Sequence, residues 1–322
     1  MKKLTVKDYQ EIKLWMYRNA RQLELAIFNY YFENGSKEAV LSSLAFYQNE
    51  DGGFGHALEA DSWNPNSSPY TALAAINILK GIEFTEKQHP IMKGIFKFLE
   101  SGAFCSENGW HFNIPSNNDY PHAPWWTYNM DANAVEGIGV TAELAGFILC
   151  YANEESQIYK KALTFSDVII SKLGTSGYYG DMGIGGYCIL LESIDRAKLT
   201  SRFDYNFLSE KLSKMVYDSI ERDTPKWVNY TVRPSDYIVS PESIFYKDNE
   251  DIVSIELEYI IETRQQNGVW DITWSWFENN DKYAKEFAIS ENWWKASKAI
   301  QKINLLKNFN RADEQVAHCW RS

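Results

Sequence analysis

The chain has 322 residues, of which 45% are hydrophobic and 15% aromatic, and 12 of them are tryptophan. Its formal net charge is −11, which argues against wrapping nucleic acid or lying on anionic lipid, because both need a basic face. No apolar run approaches the roughly 20 residues of a membrane span, and the N-terminus turns polar at once, so we expect a cytoplasmic protein.

The cysteines give no sign of a metal site or a disulfide framework. Cys105, Cys150, Cys188 and Cys319 are widely spaced and form no CxxC pair. Such scatter is typical of reduced, mostly buried thiols. We therefore expect neither a metal nor another cofactor.

One class of predicted helix is apolar on all sides. In residues 68–81, Ser68 is expected as N-cap, Pro69 as the first helical residue and Gly81 just past the end. Between these boundaries apolar groups surround the axis, so this helix should be enclosed by protein. Two more segments have the same pattern: 132–151 and 183–194.

A second class carries a single apolar stripe and should keep one face in water. The stripe of 155–173 comprises Ile158, Ala162, Phe165, Ile169 and Leu173, and that of 207–222 comprises Phe207, Leu208, Leu212, Met215, Val216 and Ile220. The predicted helices as a whole are 6–33, 37–48, 69–80, 88–100, 131–152, 156–173, 183–197, 205–222, 241–248, 250–266 and 286–308.

Enclosed and half-exposed helices alternate along the chain, and no segment reads convincingly as a strand. The simplest architecture is all-α, with enclosed helices in an inner ring and amphipathic helices in an outer ring. We predict a single domain over residues 1–322, an α/α toroid of about five to six helical hairpins.

An aromatic residue recurs at the turn that leaves each amphipathic helix. Its positions are Gly53-Phe54, Gly109-Trp110, Gly177-Tyr178, Lys226-Trp227 and Gly268-Val269-Trp270. Glycine allows the chain to leave a helix with a positive φ, and the aromatic ring is expected to plug the wedge between neighbouring hairpins.

Two of these turns resemble the Gln-rich Gly/aromatic turn of the terpenoid cyclase and protein prenyltransferase superfamily. They are Gln48-Asn49-Glu50-Asp51-Gly52-Gly53-Phe54-Gly55 and Gln265-Gln266-Asn267-Gly268-Val269-Trp270. The resemblance implies the toroid architecture over residues 36–310, with turns that join helices and do no chemistry.

The chemistry of that superfamily does not carry over. The chain has no Asp-x-Asp-Asp acid of the triterpene cyclases. The nearest match to the prenyltransferase zinc ligands, Asp181 and Cys188 with His318, has the wrong spacing.

The long loops are the predicted place for a functional site. In a ring of hairpins, the turns from outer to inner helices lie at one end, and here they are long: 50–68, 102–130, 174–182, 223–240 and 267–285. They contain eight of the twelve tryptophans and three of the five histidines. The first three contain no Lys or Arg, whereas carboxylates are frequent, which favours a neutral or cationic ligand over a diphosphate.

Four carboxylates are candidate acid/base groups: Glu59, Asp61, Asp131 and Asp181. Asp61, which follows the first glycine turn, and Asp131, which opens an enclosed helix, are the leading pair. Each has a structural alternative, because Asp61 could cap a local turn and Asp131 could be the N-cap of its helix. Glu136 and Glu143 share one face of that helix, where we expect them to brace loops rather than act on a ligand.

Aromatic and basic side chains of the same loops are candidate substrate contacts. They are His56, Trp63, His111, His122, Trp125, Trp126, Tyr128, Trp227, Arg233 and Trp274. The three histidines lack a metal-ligand spacing, so hydrogen bonding is the predicted role. Pro121–Trp126 reads as a stiff segment that presents two indoles, and we favour a pocket wall over a lid.

Three functions remain open on the sequence. The first is a cyclase- or prenyltransferase-like protein that binds a neutral, isoprenoid-like small molecule and uses carboxylate acid/base chemistry. The second is a glycoside hydrolase-like enzyme on the same toroid plan, and the third is a non-catalytic binding or scaffold protein. We expect a small-molecule partner, no nucleic acid and no membrane span, and the sequence identifies no protein partner.

Overall fold

The structure is a computed structural model that describes residues 1–175, 178–266 and 268–319. Gly177 and Asn267, which belong to two of the predicted turns, lie outside the described residues, as does the side chain of His318. The protein is 60% helix and 4% strand. This composition confirms the predicted all-α class.

The helices follow one another with mostly short connections. They are α1 (Val6–Asn19), α2 (Gln22–Phe32), α3 (Lys37–Ala45), α4 (Pro69–Gly81), α5 (Pro90–Glu100), α6 (Met130–Tyr151), α7 (Gln157–Lys172), α8 (Gly183–Arg196), α9 (Tyr205–Ser219), α10 (Glu250–Glu262), α11 (Asn279–Lys282), α12 (Ala284–Asn308) and α13 (Glu314–Cys319). A two-stranded antiparallel hairpin joins β1 (Cys105–Ser106) to β2 (Gly109–Trp110). Short 3₁₀ helices occupy Pro115–Asp119, Pro124–Trp126, Thr224–Val228, Pro234–Asp236 and Lys247–Asn249.

Local capping signals fix most helix boundaries. The Ser68 side chain accepts a hydrogen bond from the backbone of Thr71, and Pro69 begins α4, as predicted. Several boundaries differ from the sequence prediction. Gly81 is the last residue of α4 rather than the residue past its end, and the predicted helix 241–248 is not α-helical, with a 3₁₀ helix only at Lys247–Asn249. The predicted helix 6–33 breaks at Ala20, which is extended, and the N-cap of α6 is Asn129, whose side chain accepts from two backbone N–H groups.

The predicted apolar stripes are confirmed for α7 and corrected for α9. All five stripe residues of 155–173 are buried. In α9, Leu208, Leu212 and Val216 are buried, but Phe207 is 52% exposed. These three residues are spaced by four and share one face, whereas Phe207 points about 100° away from it.

The chain divides into two compact units. The central unit comprises residues 47–216. The terminal unit comprises residues 1–46 together with the chain from Tyr217 onward. Each unit has its own buried aromatic and aliphatic residues.

Helix α6 is the centre of the central unit and packs against α4, α7 and α8. Glycines allow α6 and α8 to approach closely. A Cβ atom on Gly186 would lie 2.6 Å from Cα of Gly139, and one on Gly146 would lie 2.6 Å from Oγ of Ser193. Any larger residue at these positions would push the two helices apart.

The apolar composition of α6 follows from this position. Among the described residues, α6 is the one helix that is long and apolar enough to cross a membrane, and 67% of its most apolar window is buried inside the protein. A core helix meets the same criteria of length and composition. Its burial between three helices is consistent with the prediction of no membrane span.

In the terminal unit, α12 packs against α1 and α2, and α2 packs against α3. The chain ends are joined where Leu4 donates its backbone N–H to the carbonyl of Arg311 (2.8 Å). The largest fully buried side chains of this unit are Tyr9, Phe28, Phe32, Trp227, Trp270 and Trp276.

The two turns that resemble each other in sequence have the same backbone hydrogen bonds. In the first, Asn49 donates to the Gly53 carbonyl (2.9 Å) and Gly52 donates back to the Asn49 carbonyl (2.9 Å). In the second, Gln265 donates to the Val269 carbonyl (3.1 Å) and Gly268 donates back to the Gln265 carbonyl (3.0 Å). Gly52 and Gly268 both have a positive φ, of 92° and 107°, and a buried aromatic ring follows each turn.

Side chains of the first turn form hydrogen bonds that hold its backbone in place. Gln48 donates to the carbonyls of Gly52 (2.9 Å) and Ile91 (3.1 Å). Asp51 accepts from the Gly53 N–H (2.9 Å) and the Ser67 hydroxyl (2.7 Å). These side chains therefore hold the turn in place and tie it to α5.

The expected burial of the turn aromatics is confirmed in four of the five cases. The exposed fractions of Phe54, Trp110, Trp227 and Trp270 are 0–2%. Tyr178 is 57% exposed, and its neighbour Tyr179 is buried instead. The Tyr179 ring packs edge-on against Tyr187 at 5.6 Å, so the ring that fills this turn is one position later than predicted.

Candidate functional site

Two loops of the central unit, 55–68 and 110–129, lie against each other and form what we call the two-loop layer. Two backbone hydrogen bonds join them, from the N–H of Trp63 to the Pro121 carbonyl (2.9 Å) and from the N–H of Ala123 to the Asp61 carbonyl (2.9 Å), and together they make an antiparallel bridge between Ser62 and His122. The layer brings together predicted site residues that are some 60 positions apart in the chain.

Buried asparagine side chains hold the two-loop layer in one conformation. Asn64 donates to the side-chain oxygen of Asn117 (2.8 Å). Asn133, in the first turn of α6, accepts from the backbone N–H groups of Phe112 (2.8 Å) and Asn113 (2.9 Å) and donates to the Asn113 carbonyl (3.0 Å). A buried polar network whose members are satisfied makes a rigid support.

Two candidate carboxyls lie inside this layer. Glu59 is 7% exposed and Asp61 is 2% exposed, and the Asp61 N–H donates to Oε1 of Glu59 (3.2 Å). The turn that leads to them is unusual, because His56 and Ala57 both have φ near 58°. Left-handed non-glycine residues cost about 1–3 kcal/mol each and are concentrated at functional sites.

An aromatic cluster packs in the same region. The Trp126 indole stacks on Phe112, with ring centroids 4.6 Å apart and planes 16° apart, and Tyr70 meets Trp126 edge-on at 4.5 Å. Nε1 of Trp126 is buried and has no hydrogen-bond partner among the described residues. A buried N–H without an acceptor costs free energy that a ligand oxygen could recover.

The three loop histidines are held separately. His56 pairs with Oδ1 of Asn49 (2.8 Å) and His122 pairs with Oγ1 of Thr127 (3.1 Å). Nδ1 of His111 is buried without a partner in the described part of the chain, and burial lowers the pKa of His111. Over residues 1–175, 178–266 and 268–316, whose side chains the structure describes, no three His, Cys, Asp or Glu side chains are placed to hold a metal ion.

The other two acid/base candidates are exposed. Asp131 lies in the first turn of α6, and Asn129 takes the N-cap position proposed for it. Asp181 donates its N–H to Oε2 of Glu136 (2.9 Å), and its carboxylate accepts from the Tyr178 hydroxyl (3.0 Å). Glu136 therefore braces a loop by accepting a backbone N–H, as predicted, and burial is the main cause of its raised pKa.

Glu143 does not brace a loop through the backbone as Glu136 does. It is buried on α6 and accepts from Nδ2 of Asn77 on α4 (3.1 Å), so its partner is a side chain rather than the backbone. Burial raises its pKa, the nearby Lys80 lowers it, and Glu192 on α8 raises it further.

The stiff segment before α6 buries one of its two indoles in the protein and leaves the other partly in solvent. Trp126 is 4% exposed and Trp125 is 37% exposed, because Pro124–Trp126 forms a short 3₁₀ helix in which successive side chains diverge. Only Trp126 can serve as a buried wall. Trp63 and Tyr128 are half-buried, and both belong to the two-loop layer.

The remaining predicted contacts belong to the terminal unit. The Arg233 guanidinium lies over the rings of Trp227 (4.9 Å) and Tyr259 (5.0 Å) and donates to the Trp227 carbonyl. Trp274 meets Trp294 edge-on at 5.2 Å. These contacts are internal to the terminal unit.

The sequence analysis missed two charged residues of the terminal unit. Glu256 is 2% exposed, and burial raises its pKa to about 7. Lys302 is half-buried, and burial lowers its pKa to about 7. A sequence signal existed for Glu256, since it interrupts the apolar stripe Ile252, Val253, Leu257 and Ile260 of α10.

The sequence analysis also missed basic residues that lie near the long loops but belong to a helix. Lys295, Lys298 and Lys302 belong to α12, but they lie against Asp271, Trp274 and Trp270 of the 267–285 loop. A count restricted to loop residues does not detect them. The cation-poor composition of the loops therefore does not extend to this part of the terminal unit.

A surface depression of about 590 Å³ lies at the turn between α8 and α9 and is lined by Thr200–Asn206. It contains none of the predicted site residues, and its lining is mostly polar and exposed. The buried carboxyls and aromatic rings of the two-loop layer are the better candidate for a binding site.

No protein-family model, curated protein or solved structure matches this chain.

Proposed function

We propose that this chain is an α/α toroid of the terpenoid cyclase-like type that binds a neutral, largely apolar small molecule at the two-loop layer. Glu59 and Asp61 are its acid/base groups, and the rings of Tyr70, Phe112 and Trp126 form the apolar wall of the site.

The shared hydrogen-bond pattern of the two glycine turns supports the toroid. A turn that recurs with the same glycine geometry and the same buried aromatic is typical of a repeated helical hairpin. The all-round burial of α6, next to the one-sided burial of α7, is what an inner and an outer helix require.

The placement of Glu59 and Asp61 is the observation that carries the proposed ligand class. These carboxyls are buried in a loop that contains no Lys or Arg between residues 50 and 68. An anionic ligand would meet like charge at these two carboxyls. An olefin or an epoxide can accept a proton from such a carboxyl, and a cation formed from it is stabilised by aromatic faces.

A thermal-shift screen tests the ligand class. Neutral isoprenoids, neutral oligosaccharides and divalent metal ions are added separately, and the midpoint of unfolding is recorded. A ligand present at about 100 times its dissociation constant stabilises the folded state by about 2.7 kcal/mol. We expect a response to isoprenoids, whereas a response to oligosaccharides alone would favour the glycoside hydrolase-like alternative.

Variants of the carboxyls separate binding from chemistry. Asp61→Asn and Glu59→Gln should retain the ligand-induced thermal shift and lose at least about tenfold in turnover of the responding ligand, as general acid/base groups contribute 10²–10⁴-fold. Asp131→Asn, at an exposed site, is the matched control and should keep full turnover. Unchanged turnover in both buried variants would remove the acid/base role.

A further inference from the structure

The N-terminal end of α6 carries an apolar face that is open to solvent. Met130 is 59% exposed, Ala134 is exposed and Ile138 is half-buried. These residues are spaced by four and so lie along one side of the helix. Every residue from Gly139 to Leu149 is buried, so the open face is confined to the first turns of α6.

Aromatic side chains extend this face beyond the helix itself. Trp125 is 37% exposed, and the hydroxyl of the half-buried Tyr128 lies 3.8 Å from Sδ of Met130. Tyr178, on the loop that leads into α8, is 57% exposed and reaches the first turns of α6 through its contact with Glu136. We give the name α6 N-terminal face to Trp125, Tyr128, Met130, Ala134 and Tyr178.

Two carboxylates lie beside Tyr178 and share its single hydroxyl proton. The Tyr178 hydroxyl is 3.3 Å from Oε1 of Glu136 and 3.0 Å from Oδ1 of Asp181. Over residues 1–175, 178–266 and 268–316, neither carboxylate forms an ion pair with a Lys, Arg or His side chain. Burial raises the pKa of Glu136, and the charge of Asp181 raises it further, so a cation close to both carboxylates would relieve their repulsion.

The sequence around this face is acidic throughout. Residues 102–159 and 173–195, which include α6, the loops on either side of the face and most of α8, contain ten Asp and Glu but no Lys or Arg. The N-termini of α6 and α8 oppose this with about half a positive charge each, which only balances one of the two carboxylates beside Tyr178. A surface of one sign attracts ligands of the opposite sign, and exposed Trp and Tyr rings are suited to ammonium and guanidinium groups.

The openness of the face selects the size of its ligand. A single cation–π contact at an exposed site strengthens binding by only about two- to fivefold, so a small cation would make too few contacts to be held. A chain that carries several basic groups can engage Trp125, Tyr128 and Tyr178 together. The apolar stems of its side chains can then lie against Met130 and Ala134.

We propose that the α6 N-terminal face is a docking surface for a basic segment of a partner protein. Arginine or lysine side chains of this segment lie over the rings of Trp125 and Tyr178, next to the carboxylates of Glu136 and Asp181. The docking does not depend on the proposed small-molecule ligand, because Trp126 belongs to the buried wall of that site whereas Trp125 lies at the surface.

Binding of a model peptide to the full-length protein tests this proposal. Fluorescein-labelled octa-arginine is titrated with the protein, and fluorescence anisotropy is recorded. Labelled octaglutamate and a Gly-Ser octapeptide are the comparison ligands. We expect only octa-arginine to bind, and to bind more weakly at about 500 mM than at about 50 mM NaCl, because salt screens exposed charges.

Ring variants separate this face from the general attraction of a chain whose net charge is −11. Trp125→Leu and Tyr178→Leu keep an apolar side chain but remove the ring, and each should weaken octa-arginine binding about two- to fivefold. Phe207→Leu, which removes a ring of α9 that is 52% exposed in the same unit, is the matched control and should bind like the wild type.

Charge variants give a second readout. Asp181→Asn should weaken octa-arginine binding at low salt and reduce the loss of affinity that salt causes, because one screened attraction is removed. Glu155→Gln, which removes an exposed charge beyond the opposite end of α6, is the control and should change neither quantity.

Absence of octa-arginine binding at low salt would overturn the proposal. Equal affinities of Trp125→Leu, Tyr178→Leu and Phe207→Leu would do the same, because binding would then follow from net charge alone. A wild-type dimer in sedimentation velocity that Trp125→Leu abolishes would show that a second copy of the chain covers this face instead. Binding of phosphatidylcholine vesicles that Trp125→Leu abolishes would identify a lipid surface as the occupant and would also overturn it.

Discussion

Glu256 accepts two hydrogen bonds from Ser235, through the backbone N–H at 2.8 Å and the hydroxyl at 2.7 Å. The two bonds lower the pKa of Glu256, but burial raises it more, and the result is about 7. The carboxyl is therefore stabilised by its partner and still titrates near neutral pH.

The first prediction concerns the effect of Glu256 on how the free energy of unfolding depends on pH. Its pKa rises from the ordinary 4.5 to about 7 on folding, so between these values the folded protein holds a proton that the unfolded chain has released. The free energy of unfolding should fall by about 3 kcal/mol as the pH rises through that window. Glu256→Gln should abolish this fall.

The measurement is the midpoint of thermal unfolding at pH 5 and pH 7.5. Glu262→Gln, which changes an exposed carboxyl on the same helix, is the control and should keep the wild-type slope. A Glu256→Gln variant with an unchanged difference between the two pH values would contradict the assignment.

The second prediction concerns the first glycine turn. A Cβ atom on Gly52 would lie 2.1 Å from the carbonyl oxygen of Gly94, at a φ of 92°. Gly52→Ala should therefore combine backbone strain with a steric clash and cost about 2–4 kcal/mol. Gly102→Ala is the matched control, because Gly102 also has a positive φ (72°) but has no atom within 4 Å of the added Cβ.

Gly102→Ala should cost about 1 kcal/mol. Urea unfolding of both variants measures the difference. Equal costs for the two substitutions would mean that the contact between the turn and α5 does not constrain Gly52.

The third prediction concerns Asn133, which supports the two-loop layer. Asn133→Ala removes the acceptor of two backbone N–H groups, those of Phe112 and Asn113. Leaving two buried donors unsatisfied should cost about 2–5 kcal/mol. Asn118→Ala removes a single bond to the Tyr128 N–H (2.9 Å) at an exposed position and should cost about 1 kcal/mol or less.

Thermal unfolding and amide hydrogen exchange of residues 110–117 check this prediction. Exchange at Phe112 and Asn113 should accelerate in Asn133→Ala and stay unchanged in Asn118→Ala. Protection that survives in both variants would show that other contacts hold the loop.

The fourth prediction concerns the carboxyl pair between α6 and α8. Burial is the main cause of the raised pKa of Glu143, and Glu192 contributes repulsion. A raised pKa means that stability is lost as the pH rises through it. Glu143→Gln keeps an acceptor for Asn77, removes the charge, and should raise the unfolding midpoint at pH 8 more than at pH 5.

The exposed Glu155→Gln is the control and should give no pH-dependent difference. A Glu143→Gln midpoint that changes equally at both pH values would mean that Glu143 titrates normally in the folded protein.

Helix positions were predictable where the signals are local. Ser68 and Pro69 define the start of α4, and the stripe of α7 is visible in its spacing. The break at Ala20 was not predictable, because no proline or glycine marks it. At α6, Asn129 and Asp131 are both good N-cap residues two positions apart, and sequence alone cannot choose between them.

The candidate site was predictable only in part. The glycine turn and its loop composition directed attention to Glu59, Asp61 and His122, which the two-loop layer brings together. Lys302 was not predictable, since its position over the Trp270 ring depends on how α12 packs against the 267–285 loop. Such packing is a property of the three-dimensional fold rather than of residue spacing.

The position of α6 has a consequence for synthesis on the ribosome. Its apolar surface is covered largely by α8, which ends 45 residues after α6 does. At translation rates of about 5–20 residues per second, the completed α6 waits roughly 2–9 s for that cover. During this interval the nascent chain exposes a helix that resembles a membrane anchor. We therefore expect a holdase chaperone to bind it first. Ribosome profiling of chaperone-bound chains should show binding that ends once α8 has emerged.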